Sequence, residues 1–534
     1  MAFLDDHLSD TQIAIATAAV RRNQPDLFAG DGVFGTGLWQ FNTPAFQGIL
    51  ELGLVPTGYR DVTFPFRAMA GAAVMIYLCG MYALVYRQCR SWSVSAFVAV
   101  LSSAVTYALG RSFWGVGSLA SITPPALCLI LTPLIMVAFL RYGRQWRLLL
   151  VFGFVGLCGN LHMVTALNLT IVLLIVYLGW RRFSPSAWPM AAGCGFCALL
   201  GGLPYAAYYV GLRWSMTPPD AQVSTAAVIE ALRLGKAYVL YPDLLKSLLN
   251  WLVVIGLLLI PAAAVLSRVE RFRTRNLGIW VWFAAASLFV ALGLQGISQF
   301  VGSLEGKAPP VIDFVAASSL IMLPLYVLFA QALTNLFRLA RRHRVWVRWA
   351  CAAMAAAWLI PSENLRVARH AVYNAAASFM DEADKPLRIQ EIQKGRQERI
   401  ELARIAHWAR DPDHTATNAL FLTDDTEFRM LARRGILASA DDVSFFYYMA
   451  PWRLESWSHM VRDQAAVIRP KAGAKADPHA MKRFADELAK RPEYAAVGQW
   501  YAILKASAGP EQPEPIQPVT SEGWGKHYLL YRLR

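Results

Sequence analysis

Phe139-Leu-Arg-Tyr-Gly-Arg-Gln-Trp-Arg-Leu-Leu149 decides the architecture, because three arginines and no acid sit between two long apolar runs. The same arrangement recurs at Arg87–Arg90, Arg181–Arg182, Arg268–Arg275 and Arg338–Arg348. Together the five loops hold 16 Arg, no Lys and one acid, Glu270. Every alternate loop lacks this enrichment. Arginine and lysine are retained on the cytoplasmic side of membrane proteins, so the alternation predicts a polytopic chain with these loops inside. It also predicts that residues 1–63 and the polar residues 363–534 lie outside the cytoplasm.

Composition agrees. The 534 residues are 56% hydrophobic and 16% charged, where a soluble domain carries about 25% charged residues. Residues 1–362 hold 13 Asp/Glu against 26 Lys/Arg, and residues 363–534 hold 23 against 25. The net charge of +15 therefore sits almost wholly in the apolar part (+13, against +2), where it reads as topology and contact with anionic headgroups. No nucleic-acid-binding motif accompanies it, so nucleic acid is not an expected partner. All seven cysteines lie in or beside apolar spans. Cys194-Gly-Phe-Cys197 has redox spacing but falls within a span, where small packing residues are expected.

A span needs roughly 20 apolar residues. Ten stretches are expected to cross, at about 64–86, 93–110, 120–140, 147–161, 163–180, 187–210, 247–267, 277–297, 311–337 and 344–362. The fourth and fifth are short and separated only by Leu161-His162. Ten crossings place both termini outside, and one further upstream helix would make eleven. The expected organisation is a first segment at 1–63 with an amphipathic helix, a transmembrane domain at 64–362, and an α/β domain at 363–534. In the last, Ala419–Thr423 and Gly435–Ser439 read as strands around a helix at Asp425–Arg434. Lys526–Arg534 reads as a closing strand.

Polar residues outside the spans are the candidate functional groups. Asp5, Asp6, His7, Asp10, Asp26 and Asp31 crowd into the first segment. Carboxylates beside a membrane suit two tasks, either as a general base on an acceptor hydroxyl or as ligands holding a divalent cation against a phosphate. His162 is expected at an outer turn at headgroup level, suited to a lipid phosphate or to proton transfer. The outer cations are Arg111, Arg213, Arg233 and Lys236, and arginine suits bidentate phosphate recognition. Trp39, Trp114 and Trp214 fall where an aromatic belt is expected. Asp313, after Pro309-Pro310, reads as a helix-start residue. No span centre carries Lys, Asp or Glu, which argues against an ion-coupled transporter.

The layout resembles the GT-C class of membrane glycosyltransferases. Asp5-Asp6-His7 through Pro25-Asp-Leu-Phe-Ala-Gly-Asp31 looks like the acid-bearing first loop of that class. His407-Trp-Ala-Arg410, Ala419-Leu-Phe-Leu422 and Glu427-Phe-Arg429 through Arg433-Arg434 are similar to the external domain of an ill-characterised bacterial branch of it. The resemblance implies a bacterial cytoplasmic membrane and a polyprenyl-phosphate-linked sugar donor. It implies transfer, with inversion at the anomeric carbon, to a glycan, lipid or protein acceptor. The base would be Asp6 or Asp5, with Asp31 as second acid, and His162 and Arg111 would face the donor phosphate. The alternatives are a transporter or flippase of lipid-linked glycans, and a non-catalytic subunit of GT-C-like build.

Overall fold

Six stretches of helix among the described residues are long and apolar enough to cross a membrane: Phe64–Cys89, Pro124–Tyr142, Leu148–Trp180, Pro185–Met216, Leu277–Gly302 and Phe314–Asn335. The computed structural model describes residues 8–59, 61–103, 106–107, 113–116, 119–218, 221–235, 276–304, 313–339, 345, 349, 363–377, 379–380, 386–469, 476–506 and 526–534. The span expected at 247–267 lies outside the described residues, as does that at 344–362 apart from Val345 and Trp349. So do Asp5, Asp6, His7, Arg111 and Lys236.

The chain enters through α1 (Asp10–Asn23) and α2 (Pro44–Leu54), then the long α3 (Phe64–Cys89). The second expected span, 93–110, is corrected. Helix α4 is only Trp92–Ser102, and the chain then forms a short antiparallel pair, β1 (Thr106–Tyr107) with β2 (Phe113–Trp114). The serines supply the reason. Ser102 and Ser103 turn their hydroxyls back onto the carbonyls of Ala99 and Val100, and the Tyr77 hydroxyl donates to the Ser102 carbonyl. Hydroxyls that satisfy the last carbonyls end a helix.

Helix α5 (Pro124–Tyr142) leads into α6 (Leu148–Trp180), which is two arms. The backbone leaves helical geometry at His162, with φ −157° and ψ 101°. The ring of Phe139 packs against both Phe152 and Trp180, near the two far ends of α6. On α7 (Trp188–Met216), Gly193 faces Leu149 while Gly195 faces Leu174. Such neighbours meet only if the arms run antiparallel, so the turn at Leu161-His162 is where the sequence places it. The first arm lies tightly on α7, since a Cβ at Gly156 would collide with the Ala198 carbonyl. Small residues let helix backbones approach this closely within a bilayer. Asn160 adds a polar lock beside Pro204. Its amide donates to the Gly201 carbonyl at 3.0 Å and accepts the Tyr205 N–H at 3.1 Å, inserting into the hydrogen-bond ladder of α7.

After α8 (Thr225–Gly235) the description resumes at α9 (Leu277–Gly302), which contains a π-helical stretch at Phe289–Leu294, and α10 (Phe314–Asn335). Asp313 accepts the Val315 N–H at 3.0 Å, the helix-start role read from its position.

The remaining elements are α11 (Glu363–Ala377), α12 (Leu387–Arg410), β3 (Ala419–Leu422), α13 (Thr426–Ala432), β4 (Gly435–Ile436), α14 (Val443–Met449), α15 (Leu454–Ile468), α16 (Pro478–Leu488), β5 (Gln499–Lys505) and β6 (Tyr528–Arg532). The strands form one sheet in the order β4-β3-β5-β6, parallel except for β5 with β6. Alternation along β3 sends Ala419 and Phe421 to one face, where α12 and α13 pack. It sends Leu420 and Leu422 to the other, with Ile468, Met481 and Leu488 from α15 and α16.

The open edge of β4 is covered by the first segment. Asp31 accepts the Ile436 N–H at 3.1 Å, and Arg433 reaches Gln24 and the Tyr59 carbonyl. An uncovered edge would be a template for foreign strands. Aromatic rings seal the same seam, with Phe445 edge-on to Phe34 at 5.7 Å and to Phe41 at 5.2 Å. The first segment and the C-terminal elements thus meet at one end of the membrane helices. The described basic loops gather at the other, where Arg87 donates to the Leu140 carbonyl and Asn276 meets Gln88. Reporter fusions after Arg182 and after Arg469 are therefore expected in opposite compartments, and signals from the same compartment would contradict this arrangement.

Candidate functional site

A cavity of about 850 Å³ opens where the membrane helices, the first segment and the C-terminal elements meet. Its volume lies within the range of small-molecule sites, about 300–1,000 Å³. Three helices each give it one face. From α1 come Asp10, Ala14 and Ile15, from α7 Tyr205, Tyr209 and Arg213, and from α14 with its preceding turn Asp441, Ser444 and Tyr448. Each set follows helical spacing, so each stripe points in a single direction.

Tyrosine hydroxyls fix the stripes relative to each other. Tyr205 donates to the Phe41 carbonyl at 3.0 Å, Tyr208 to Gln40 at 2.8 Å, and Tyr209 to Tyr448 at 2.8 Å. Phe41 and Tyr448 stack at 5.5 Å. Aromatic pairs of this kind contribute about 0.5–1.5 kcal/mol beyond the area they bury.

The membrane end of the cavity is built on the α6 turn. His162, Met163 and Val164 line it, beside Pro124 and Pro125 at the start of α5. His162 caps the second arm, its Nδ1 accepting the Thr165 N–H at 3.2 Å and lying 2.8 Å from the Thr165 hydroxyl. A ring nitrogen that accepts from a backbone N–H carries no proton, so in the neutral ring Nε2 holds the hydrogen and is a donor. The last carbonyl of the first arm, Leu161, accepts from Thr43 at 2.8 Å.

The opposite end is charged. Asp10, in the first turn of α1, and Asp441, in the 3₁₀ turn Ala440–Asp442, both line the cavity, and Arg213 ends the α7 stripe. Among the described residues no hydrogen bond or ion pair engages either carboxylate. Both carboxylates are exposed to solvent at the cavity, and partial desolvation there, followed by the charges of Asp10 and then Asp442, pushes the Asp441 carboxyl up to about 6. The arrangement offers an apolar pocket with a helix start at one end, and carboxylates with a guanidinium at the other. Chemically it suits an amphipathic anion whose reacting atom meets a base.

Of the residues singled out from sequence, His162, Asp10 and Arg213 converge here. Asp31 does not. It is 1% exposed, and its carboxylate accepts the N–H groups of Val33 and Phe34 at 2.9 Å and of Ile436 at 3.1 Å. The Arg429 guanidinium lies 2.9 Å from it and also grips Asp442 through a bond of 2.9 Å. Burial raises the Asp31 carboxyl and Arg429 opposes the shift. Its role as second catalytic acid is therefore withdrawn, because a group closed in by three N–H donors and an arginine has no face left for a substrate. Arg233 is exposed on α8 and does not line the cavity, although Leu234 and Gly235 do. Trp114 is buried, with its Nε1 donating to Tyr77 at 2.8 Å, and Trp214 is 83% exposed beside Arg213.

Asp441, Ser444 and the tyrosines were not anticipated. The one available signal was the doubled acid Asp441-Asp442 two residues before the aromatic run Phe445-Phe-Tyr-Tyr448. Among the described residues no group of three or more His, Cys, Asp or Glu is placed to share a metal ion. Compared with known families and with curated proteins, the chain matches no family model and no curated relative.

Proposed function

We propose that this chain is a multi-pass membrane glycosyltransferase of GT-C type, moving a sugar from a polyprenyl-phosphate donor to an acceptor outside the cytoplasm. The observation that carries the reading is the cavity itself, which has two carboxylates that no described residue engages and Arg213 toward one end and His162 in an apolar setting toward the other. The gathering of the basic loops at the far end supports an outward-facing cavity.

In this reading the prenyl chain approaches along the apolar wall, and the phosphate is met by Nε2–H of His162 at the membrane end, while Arg213 stays with the carboxylates at the charged end. An acceptor hydroxyl gives its proton to a cavity carboxylate as its oxygen attacks the anomeric carbon from the face opposite the phosphate. The bond from that carbon to the phosphate oxygen breaks, and its electrons leave with polyprenyl phosphate. Positioned cations and donors stabilise such charge where it develops. The resemblance assigns the base to Asp6 or Asp5, and Asp10 brings a first-segment carboxylate to the cavity.

The test is to incubate the purified full chain with a panel of polyprenyl-phospho-sugars and envelope acceptors. Release of polyprenyl phosphate with sugar on the acceptor is the expected result. Passage of the lipid across vesicles without cleavage would replace the enzyme by a flippase. Neither outcome with any donor would leave a non-catalytic subunit.

A further inference from the structure

We propose that the proton-accepting carboxylate belongs to Asp441, so that the C-terminal elements are part of the catalytic centre. The proposal rests on the transfer reading and specifies its base.

The neighbours of Asp441 are firmly held, while no described residue engages its own exposed carboxylate. Ser439 accepts the Asp441 N–H at 3.3 Å and donates its hydroxyl hydrogen to the Asp424 carbonyl at 2.9 Å. On the other side, Asp442 is clasped by Arg429, which also holds Asp31 of the first segment. Gly235 presses on the Ala440 carbonyl, and a Cβ there would come within 2.7 Å of it. The turn is thus fixed from α8, from the strand–helix junction before α13 and from the first segment, and of its two carboxylates Asp441 lines the cavity while Asp442 is buried against Arg429. A reacting group on a turn pinned in this way is preorganised. Asp10 instead sits in the first turn of α1, where the hydrogen-bonded anchors run from Gln12 to the Leu119 and Ile122 carbonyls.

Electrostatics favour the same residue. The charged groups around Asp441 are Asp10 on α1, Asp424 and Asp425 before α13 and Asp442 beside it, with Arg213 on α7 lining the same cavity. Partial burial and then the neighbouring carboxylates bring the Asp441 carboxyl to about 6. A base works best with its proton affinity near the working pH. The carboxylate form is the active one, so the rate should be lost as pH falls through about 6.

The experiment uses the purified full chain and the polyprenyl-phospho-sugar that the wild-type chain turns over. Asp441→Asn should lower transfer about 10²–10⁴-fold. Asp441→Ala should be partly restored by added formate, a rescue that a purely structural residue would not show. Asp10→Asn should lose less than tenfold, and its acid limb should move below that of the wild-type chain because one raising charge is gone. Loss on Asp10→Asn with Asp441→Asn within tenfold of wild type would return the base to the first segment and overturn the proposal. So would an Asp441→Ala variant that is inactive and unmoved by formate. If no donor on the panel releases polyprenyl phosphate with the wild-type chain, the transfer reading itself fails first.

Discussion

Replacing Arg429 with Met is expected to destabilise the folded chain by about 3–5 kcal/mol, the cost of leaving buried charge uncompensated. Arg429 is 2% exposed and stands between two buried carboxylates, Asp31 and Asp442. Met fills much of the same volume, so the loss is electrostatic and not a cavity. Arg429→Lys should recover only part of it, because an ammonium cannot reproduce the fork that reaches Asp442 and Asp31 together. Thermal unfolding of the purified protein measures both. Proteolysis between Phe28 and Thr43 should accelerate in the Met variant, since Asp31 ties that loop to the β4 edge. An Arg429→Met protein as stable as wild type would show that the three charges do not compensate one another in solution.

The second large effect is expected at Gly156. Its backbone touches Ala198 on α7 so closely that even one added methyl group has nowhere to go. Gly156→Ala should cost about 1–3 kcal/mol through overpacking. It should also loosen the Asn160 lock beside Pro204, and with it the α7 tyrosines that hold the cavity wall. Gly71→Ala is the control, because nothing lies within 4 Å of a Cβ at that position. The comparison is made by thermal midpoint in one detergent. Equal midpoints for the two variants would mean that the first arm of α6 and α7 do not pack as described.

How much of this was legible in the sequence depended on how local each signal was. Apolar runs between arginine loops mark the membrane helices, and the Leu161-His162 break between two short runs marks the α6 turn. The run Ala419-Leu-Phe-Leu422 and the closing Tyr528-Leu-Leu-Tyr531 read as strands, because burial on both faces leaves a continuous apolar stretch. Strand β5, Gln499–Lys505, escaped notice, although it is the strand that joins β3 to β6. The apolar composition of 93–110 reads as a full span and masks two serines, Ser102 and Ser103, able to end α4. Asp31 shows the harder limit. Its sequence, Gly30-Asp-Gly32, is that of an open loop. What buries it is the edge of β4 and Arg429, nearly four hundred residues away. Asp10 and Asp441 come to one cavity for the same long-range reason, which no local pattern records.

The hairpin form of α6 has a consequence for the surrounding lipid. From Leu148 to Leu161 the first arm rises about 21 Å, against a hydrocarbon thickness of roughly 30 Å. An arm that starts beside the Arg141–Arg147 loop therefore stops short of the opposite leaflet's headgroups, with the polar His162 at its tip. Lipid meeting a short apolar wall thins locally, at a cost of fractions of a kcal/mol per Å of mismatch. Acyl-chain length would then act as a control on the protein, with thinner bilayers easing a headgroup down to the level of His162 and thicker ones holding it away. Reconstitution across a series of lipid chain lengths should show function declining as the bilayer thickens, and a flat response would place the turn at the ordinary headgroup plane.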